Sequence, residues 1–468
     1  MTLPLSRLLH QEHLAPLAVT NEVPYNAVTM QQARPRASLH TIGCRLNQAE
    51  SALLADRLRK DGYDLVDFGR PTDLLVLNTC SVTEHAEKDC RYLVRQTLRH
   101  SPNAFVAVTG CYAQTGAEAL RQVPGIDLIV GAQYKMHLPD YLPATQALRK
   151  HPAPHLLHTR KIDRDDFVIA GVGNYESTRA NLKIQDGCNF MCSFCIIPFA
   201  RGHERSRRWD DVLREAEGLA ERGHRELVLT GVNIGQYLEG GRSLLDLIQC
   251  LEQIDGVERI RISSIEPTTI PEELLDYMAT SPKLCRYLHI PLQSGDDGIL
   301  QSMHRRYTVK QYASLVEKAV RLIPDLGLGT DIMVGFPGEG DMEFANTFTL
   351  ANELPFAYFH VFNFSRRGGT TAARMNNTVR PATARARSRT LAELSRAKRV
   401  AFYQRYLDRS LPVLFETRDA NGLWIGLTGN YIRVGVADHS DLSNTVRDVA
   451  VTGVMDGLAV GHLAETGQ

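Results

Sequence analysis

The stretch QDGCNFMCSFCIIPFARG, residues 185–202, sets Cys188, Cys192 and Cys195 in a C-x-x-x-C-x-x-C spacing at the end of an apolar, strand-like run. The chain has 9 cysteines in 468 residues, so three gathered in one short loop point to chemistry rather than packing. An odd number of thiols cannot all close into disulfides. A four-iron four-sulfur cluster fits the count: four thiolates would fill every iron, and three leave one iron open. Structural zinc takes four ligands, commonly with paired two-residue spacings, and no second pair lies near; incidental core cysteines are the bland alternative.

Outward from this loop, six strand-like runs recur: NLKIQDGC (181–188), ELVLTGVN (226–233), RIRISSIEP (259–267), YLHIPLQSG (287–295), LGTDIMVGFPGE (328–339) and YFHVFNFS (358–365). Helical patterns such as WDDVLREAEGLAERG (209–223) and VKQYASLVEKAVRLI (309–323) lie between them. The alternation predicts an α/β chain whose central segment, 177–407, is a partial (β/α)6 barrel with its chemistry at the strand C-terminal ends.

Upstream, ASLHTIGC (37–44), DLLVLNTC (73–80) and AFVAVTGC (104–111) each run as an apolar strand into a turn ending in cysteine, followed by a helix-period segment. Such repeats predict an N-terminal parallel sheet over 37–150, whose strand-to-helix turns share one edge, so that Cys44, Cys80 and Cys111 meet in space. Spacing alone leaves these three open between a second cluster and incidental cysteines at strand ends. Residues 1–36 lack sustained periodicity and read as a poorly ordered extension, and 151–176 as a linker. Beyond Asp408, short alternating strands and an Asn-Gly turn predict a small antiparallel β-barrel over 408–468.

Charge excludes a global pull toward polyanions: lysine plus arginine and aspartate plus glutamate number 53 each. Local patches remain. Arg380 to Arg399 holds seven basic residues against the single acid Glu393, and Arg201, Arg205, Arg207 and Arg208 follow the cysteine loop directly. The longest apolar runs are too short to span a bilayer, and no secretory signal is evident, so the expected setting is a reducing cytoplasm.

CNFMCSFC, with the aromatic Phe194 before its last cysteine, resembles the cluster motif of radical S-adenosylmethionine enzymes. The resemblance implies that the open iron binds S-adenosylmethionine, which a reduced cluster cleaves to methionine and a 5′-deoxyadenosyl radical. TIGCRLNQAES (41–51), NTCSVTEHAEK (78–88) and TGCYAQ (109–114) extend the likeness to the methylthiotransferase family over Ala37 to about Gly467. In that family Cys44, Cys80 and Cys111 would hold a second 4Fe-4S cluster, from which sulfur is delivered. IIPFARGHERSR, RISSIEP and FSRRGGTTAARM are most similar to the MtaB-type members, which methylthiolate N6-threonylcarbamoyladenosine beside the tRNA anticodon, at position 37. Family members acting on isopentenyladenosine in tRNA or on a ribosomal protein are the rivals; a non-catalytic iron–sulfur RNA-binding regulator is the rival from another class.

The resemblance further implies tRNA as partner, a flavodoxin-like or ferredoxin-like electron donor, and a sulfur donor that the sequence does not identify. Around the cofactor it marks Phe194, Gly231, Asn233, Glu266, His289, Gln293 and Gly335, none as an acid or base. Tight barrel turns, a salt-bridged Glu266 and a core His289 are the structural alternatives. The terminal barrel is similar to a TRAM domain, which makes Trp424, Tyr431 and Arg433 candidate RNA contacts, unless Trp424 simply closes the barrel. The four arginines after the cysteine loop are candidates for phosphate or for the carboxylate of a threonylcarbamoyl group, with a solvated face as the alternative.

Overall fold

Strands β1 (Arg36–Thr41), β2 (Asp64–Leu65), β3 (Leu74–Thr79), β4 (Phe105–Gly110), β5 (Leu128–Val130) and β6 (His155–Leu157) form one sheet in the order β2-β1-β3-β4-β5-β6, with every pairing parallel. This is seen in a computed structural model, which describes residues 34–81, 84–162, 167, 169, 172–173 and 177–464. LLVLNT and FVAVTG are buried along their whole length because helices cover both faces of the sheet. Leu74, Val76, Phe105 and Ala107 pack toward Leu54 and Leu58 of helix α1 (Arg45–Lys60). Leu75, Leu77, Val106 and Val108 pack the other way, toward Cys90 and Val94 of α2 (Glu84–His100).

The sheet exceeds the expected 37–150. β6 lies in the stretch read as a linker and pairs with β5 as the edge strand, Leu128 opposite His155. A three-residue strand flanked by Pro and His carries too little periodicity to be seen in sequence. Most of the expected extension, 1–33, and parts of the expected linker, including 163–166 and 174–176, lie outside the described residues.

The six runs predicted for the centre are all strands: β7 (Arg179–Lys183), β8 (Glu226–Thr230), β9 (Arg259–Ile262), β10 (Tyr287–His289), β11 (Gly327–Val334) and β12 (Tyr358–Asn363). Parallel ladders join β7 to β8 to β9 and β10 to β11 to β12. A bridge between Ile260 and Leu284 and a bond from Ile265 N to His289 O (3.0 Å) close the seam between β9 and β10. The short helices ahead of the barrel crossovers include α3 (Cys111–Thr115) and α4 (Ile197–Arg201). The crossovers are α5 (Trp209–Glu221), α6 (Leu244–Leu251), α7 (Glu272–Thr280), α8 (Val309–Leu322) and α9 (Asp341–Glu353), with α10 (Pro381–Gln404) after β12.

Side chains alternate across a strand, so one parity faces those helices and the other the lumen. The outward set, including Leu182, Leu227, Leu229, Ile260, Ile262, Leu328, Ile332 and Val334, forms one core with Val212, Leu247, Leu275 and Val316. The opposite parity is polar: Lys183, Thr230, Arg261, His289, Asp331 and His360. A barrel that spends its inner positions on such groups is built to hold something polar.

β13 (Ser410–Arg418), β14 (Trp424–Thr428), β15 (Arg433–Val436), β16 (Val446–Met455) and β17 (Leu458–Leu463) close a small barrel in the order β13-β14-β15-β17-β16. It docks on the strands through charged contacts from the lumenal parity: Arg259 donates to Leu427 O and Pro412 O (both 2.8 Å), Arg261 to Gly429 O (2.9 Å), and Arg179 pairs with Glu416 (2.7 Å). Among the described residues no helix is long and apolar enough to cross a membrane.

Candidate functional site

Cys188, Cys192 and Cys195 lie in the loop between β7 and α4, and a two-stranded pair, Gln185–Asp186 against Arg205–Ser206, pins both ends of that loop. Gly187 makes the turn: its φ is +70°, and a Cβ there would sit 1.9 Å from His203 O. Inside the loop Cys195 N donates to Cys192 O (3.0 Å), and Ser193 is tied by its backbone to Met303 O (3.0 Å) and by its hydroxyl to Ser302 O (2.8 Å). Burial pushes the Cys188 thiol up to about 11 and Cys195 to about 12, so charged sulfurs here need a cation to hold them as thiolates. Cluster iron fits that demand.

A residue absent from the sequence reading stands against this loop. Arg305 donates from Nη1 to Cys192 Sγ (3.3 Å), from Nε to the Tyr307 hydroxyl (3.0 Å), and to both carboxylate oxygens of Glu266. Glu266, expected to contact cofactor, holds its carboxylate in this ion pair, with the Arg305 side chain buried and its own partly exposed. Nothing local in HRRY marks Arg305, because its partners come from Cys192 and Glu266, far away in the chain.

The other expected cofactor positions share the barrel's C-terminal rim. Gly231 follows β8 where a Cβ would lie 2.9 Å from Gln185 Oε1, which accepts from the N–H groups of Val232 and Asn233 (both 2.8 Å). Asn233 is buried and takes Gln236 and Thr269 as partners. His289 Nε2 lies 3.0 Å from Asp331 Oδ1. Gln293 holds a left-handed φ of +68° while its N–H donates to Asp331 O (2.8 Å). Gly335, at φ +77°, donates to the Glu339 carboxylate, which pairs with Arg387 of α10 (2.5 Å). Phe194 meets Phe336 edge-on at 6.4 Å.

The N-terminal cysteines end adjacent strands. Cys44 caps α1 three residues after β1, Cys80 follows β3 at once, and Cys111 opens α3 directly after β4. Neighbouring strands lie about 4.8 Å apart, so the three thiols gather at one sheet edge. Two glycines of the motifs are sterically required. Gly43 (φ +110°) has room for no Cβ, which would fall 2.7 Å from Cys80 Cβ; at Gly110 (φ +101°) it would fall 2.3 Å from Thr79 O. The asparagines lock the same turns: Asn47 donates to Ile42 O (2.9 Å) and Thr79 O (3.0 Å), and Asn78 to Asn47 O (2.9 Å). Ser81 Oγ, beside Cys80, is buried without a hydrogen-bond partner among the described residues, a donor suited to cluster sulfide.

The chain segments of the two cysteine groups meet: α3, which opens with Cys111, packs on α4, which begins two residues after Cys195. Arg201 ends α4 and donates to Asn47 Oδ1 (2.6 Å), Glu50 Oε1 (2.9 Å) and Asp186 Oδ1 (3.1 Å). Lys135 and Lys183 also bind Glu50 (2.6 Å each), and Lys183 and Arg205 bind Asp186 (2.7 and 3.2 Å). Burial alone would raise Glu50, but Arg201, Lys135 and Lys183 hold its carboxyl well below the usual range.

Of the four arginines expected to contact phosphate or a carboxylate, most are engaged inside the protein. Arg201 is consumed by the network, and Arg207 is fully buried, paired with Asp211 (2.7 Å) and Glu215. Arg205 is largely buried against Asp186; of the four, Arg208 alone faces solvent. Trp424 is likewise no RNA platform: it is buried, with Nε1 donating to Ser440 O (2.8 Å), and closes the small barrel. Tyr431 is half-buried between the barrels, while Arg433 is exposed on β15.

Residues 182–351 match the Radical SAM superfamily, and residues 36–131 match a family described as Uncharacterized protein family UPF0004. The architecture is similar to that of the radical S-adenosylmethionine methyltransferase TsrM from Kitasatospora setae, with a TM-score of 0.52 over 72% of this chain and 77% of that one at 15% identity, which is a likeness of fold. The chain is therefore a radical S-adenosylmethionine enzyme, whose chemistry uses S-adenosylmethionine and a 4Fe-4S cluster. Among curated proteins it is 34% identical to the threonylcarbamoyladenosine tRNA methylthiotransferase MtaB of Bacillus subtilis, over 88% of this chain and 93% of that protein. It is 35% identical to the tRNA-2-methylthio-N(6)-dimethylallyladenosine synthase of Maricaulis maris, over 83% and 88%. The chain belongs to the radical S-adenosylmethionine methylthiotransferase family.

Proposed function

We propose that this chain is a tRNA methylthiotransferase that converts N6-threonylcarbamoyladenosine beside the anticodon to its 2-methylthio derivative. Cys188, Cys192 and Cys195 hold the cluster that binds S-adenosylmethionine. Cys44, Cys80 and Cys111 hold a second 4Fe-4S cluster, in the N-terminal domain whose sheet runs from Arg36 to Leu157. A small reducing protein of the flavodoxin or ferredoxin type supplies electrons.

The observation that carries this reading is the opposition of two three-cysteine sets across the α3–α4 contact, with Arg201 tying one set's helix to the other's motif residues Asn47 and Glu50. Two such clusters, held on neighbouring segments, would let one supply sulfur and the other generate the radical. The chain's own share is to bind both, exclude water from the lumen and aim the substrate carbon. On substrate, the curated relative that is alike over 93% of its length favours the threonylcarbamoyl base.

The test is mass spectrometry of tRNA nucleosides from a host lacking both modifications, after expression of this chain. Appearance of 2-methylthio-N6-threonylcarbamoyladenosine supports the reading; 2-methylthio-N6-isopentenyladenosine in its place overturns the substrate. If reconstituted protein releases no 5′-deoxyadenosine on reduction with S-adenosylmethionine, the catalytic reading falls and a regulatory one replaces it.

A further inference from the structure

Three tyrosines meet where the small barrel enters the lumen. The hydroxyls of Tyr287, at the start of β10, and Tyr358, at the start of β12, share a hydrogen bond of 2.6 Å. Tyr431, held at φ +70° between β14 and β15, stacks on both, with ring centroids 4.3 and 5.7 Å away. Beside them along the strands lie His289, Asp331 and His360; the two imidazoles are 5.7 Å apart and His360 is 5.3 Å from the Tyr358 ring.

Two guanidinium groups converge on this tier from opposite ends of the chain. Arg45, the residue after Cys44, donates to the Tyr431 hydroxyl (2.8 Å). Arg399, from α10, lies 5.3 Å from the centre of the Tyr358 ring. Both are half-buried, and among the described residues neither has an ion-pair partner. Their neighbours differ: Arg201, Arg207, Arg261, Arg305 and Arg387 each hold a carboxylate. The acid of this tier, Asp331, is taken by His289. Cations withdrawn from water without a counter-charge are costly, and an arriving anion relieves that cost. The positive field reaches His360: burial first, then His289, and after it Arg399 and Arg45, lower its pKa against the opposing pull of Asp331.

We propose that Arg45 and Arg399 are the receptor for a carboxylate on the substrate base, so that the threonyl carboxylate is read in the lumen beside Cys44. The proposal rests on the threonylcarbamoyl reading above. Guanidinium forks match carboxylates and accept no neutral substitute at equal strength. A neutral N6 group such as an isopentenyl chain would leave both cations desolvated and unpaired, which is how a polar pocket rejects an apolar analogue.

The test uses full-length holoenzyme with both clusters loaded and three anticodon stem-loop RNAs. These carry N6-threonylcarbamoyladenosine, the same base with the carboxylate converted to carboxamide, and N6-isopentenyladenosine. Wild type should favour carboxylate over carboxamide by about 10-fold or more in kcat/KM, the scale of one charge-assisted hydrogen bond. Arg45→Gln and Arg399→Gln should each pull that preference toward unity, chiefly by raising KM for the carboxylate RNA, and Arg45→Lys should restore part of it. Wild type that turns over carboxylate and carboxamide equally overturns the receptor alone, as do variants that lose both substrates in proportion. Wild type that methylthiolates only the isopentenyl RNA overturns the substrate reading, and the receptor with it.

Discussion

Arg201 donates a 2.6 Å hydrogen bond to Asn47, joining the helix after one cysteine set to the third residue beyond Cys44 of the other. The contact is buried, and Glu50, Asp186, Lys135 and Lys183 complete a closed set of charges around it. Such a network adds little net stability when whole and is costly when broken, because a removed partner strands its counter-charge. It therefore fixes the spacing of the two cysteine sets more than it strengthens the fold.

Arg201→Met leaves Glu50 on Lys135 and Lys183 but takes the donor from buried Asn47 Oδ1, and should cost about 1–3 kcal/mol of unfolding free energy. Arg208→Ala, on an exposed neighbour in the same run, should stay within about 0.5 kcal/mol. Denaturant melts of apoprotein read both. Equal effects would show that Arg201 is not the junction's keystone.

The same network sets an acid limit. Glu50 and Asp186 both have carboxyls lowered in the folded state by their cationic neighbours, against the opposing effect of burial. A depressed folded pKa contributes stability that is complete above the unfolded value, about 4. That stability is lost as pH falls toward the folded value. Denaturant midpoints should thus drop between about pH 5 and 3. Glu50→Gln, weaker at neutral pH, should lose less over that interval; an unchanged slope would remove Glu50 from the account.

The repeated strand-to-cysteine turns and the six barrel runs were legible because each is a local pattern of period and turn chemistry. The arginines were not. Arg201 looks like any surface charge until Glu50, 151 residues earlier, is placed against it. Arg305 carries no motif of its own, and Arg45 stands within TIGCRLNQAES without a role the motif assigns; they become informative only through Cys192 and Tyr431. β6 was missed for the opposite reason, being too short to show a period. The cofactor rim was legible as a set of strand ends, but Glu266 shows that position on the rim does not settle what a carboxylate binds.

Gly110→Ala adds a methyl group against the Thr79 carbonyl at a left-handed φ, and Thr79 belongs to the sheet and cannot yield. The turn before Cys111 must move, at about 1–3 kcal/mol. Anaerobically reconstituted variant should fall from about eight to about four irons per chain. Reductive cleavage of S-adenosylmethionine should persist, while methylthio transfer is lost. Loss of both activities together would mean that the two cysteine sets are not separately loaded.

Arg305 places a positive group 3.3 Å from Cys192 Sγ. Positive charge and hydrogen bonds at a cluster sulfur favour the reduced state, so Arg305→Gln should move the midpoint potential of that cluster negative by tens of millivolts; about 59 mV is a tenfold change for one electron. It also leaves the partly buried Glu266 carboxylate near the cysteines without its cation, which acts in the same direction. Potentiometric titration followed by electron paramagnetic resonance measures the shift. Arg305→Lys should recover part of it, and a variant with unchanged potential would confine Arg305 to holding the loop.

The small barrel separates packing from binding. Trp424 is buried with its indole N–H satisfied inside the barrel, so Trp424→Ala opens a cavity costing about 3–5 kcal/mol and should lower the melting temperature. Arg433 is exposed on β15, and its bond to the Tyr403 hydroxyl is made by the backbone N–H, which alanine keeps, so Arg433→Ala should leave the melt unchanged. If this face tracks an RNA backbone, the same variant weakens tRNA binding and lowers the slope of log affinity against log salt by about one. Filter binding across a salt series reads the slope directly. A slope identical to wild type would move the RNA path off β15 and toward the exposed Arg208 at the start of α5.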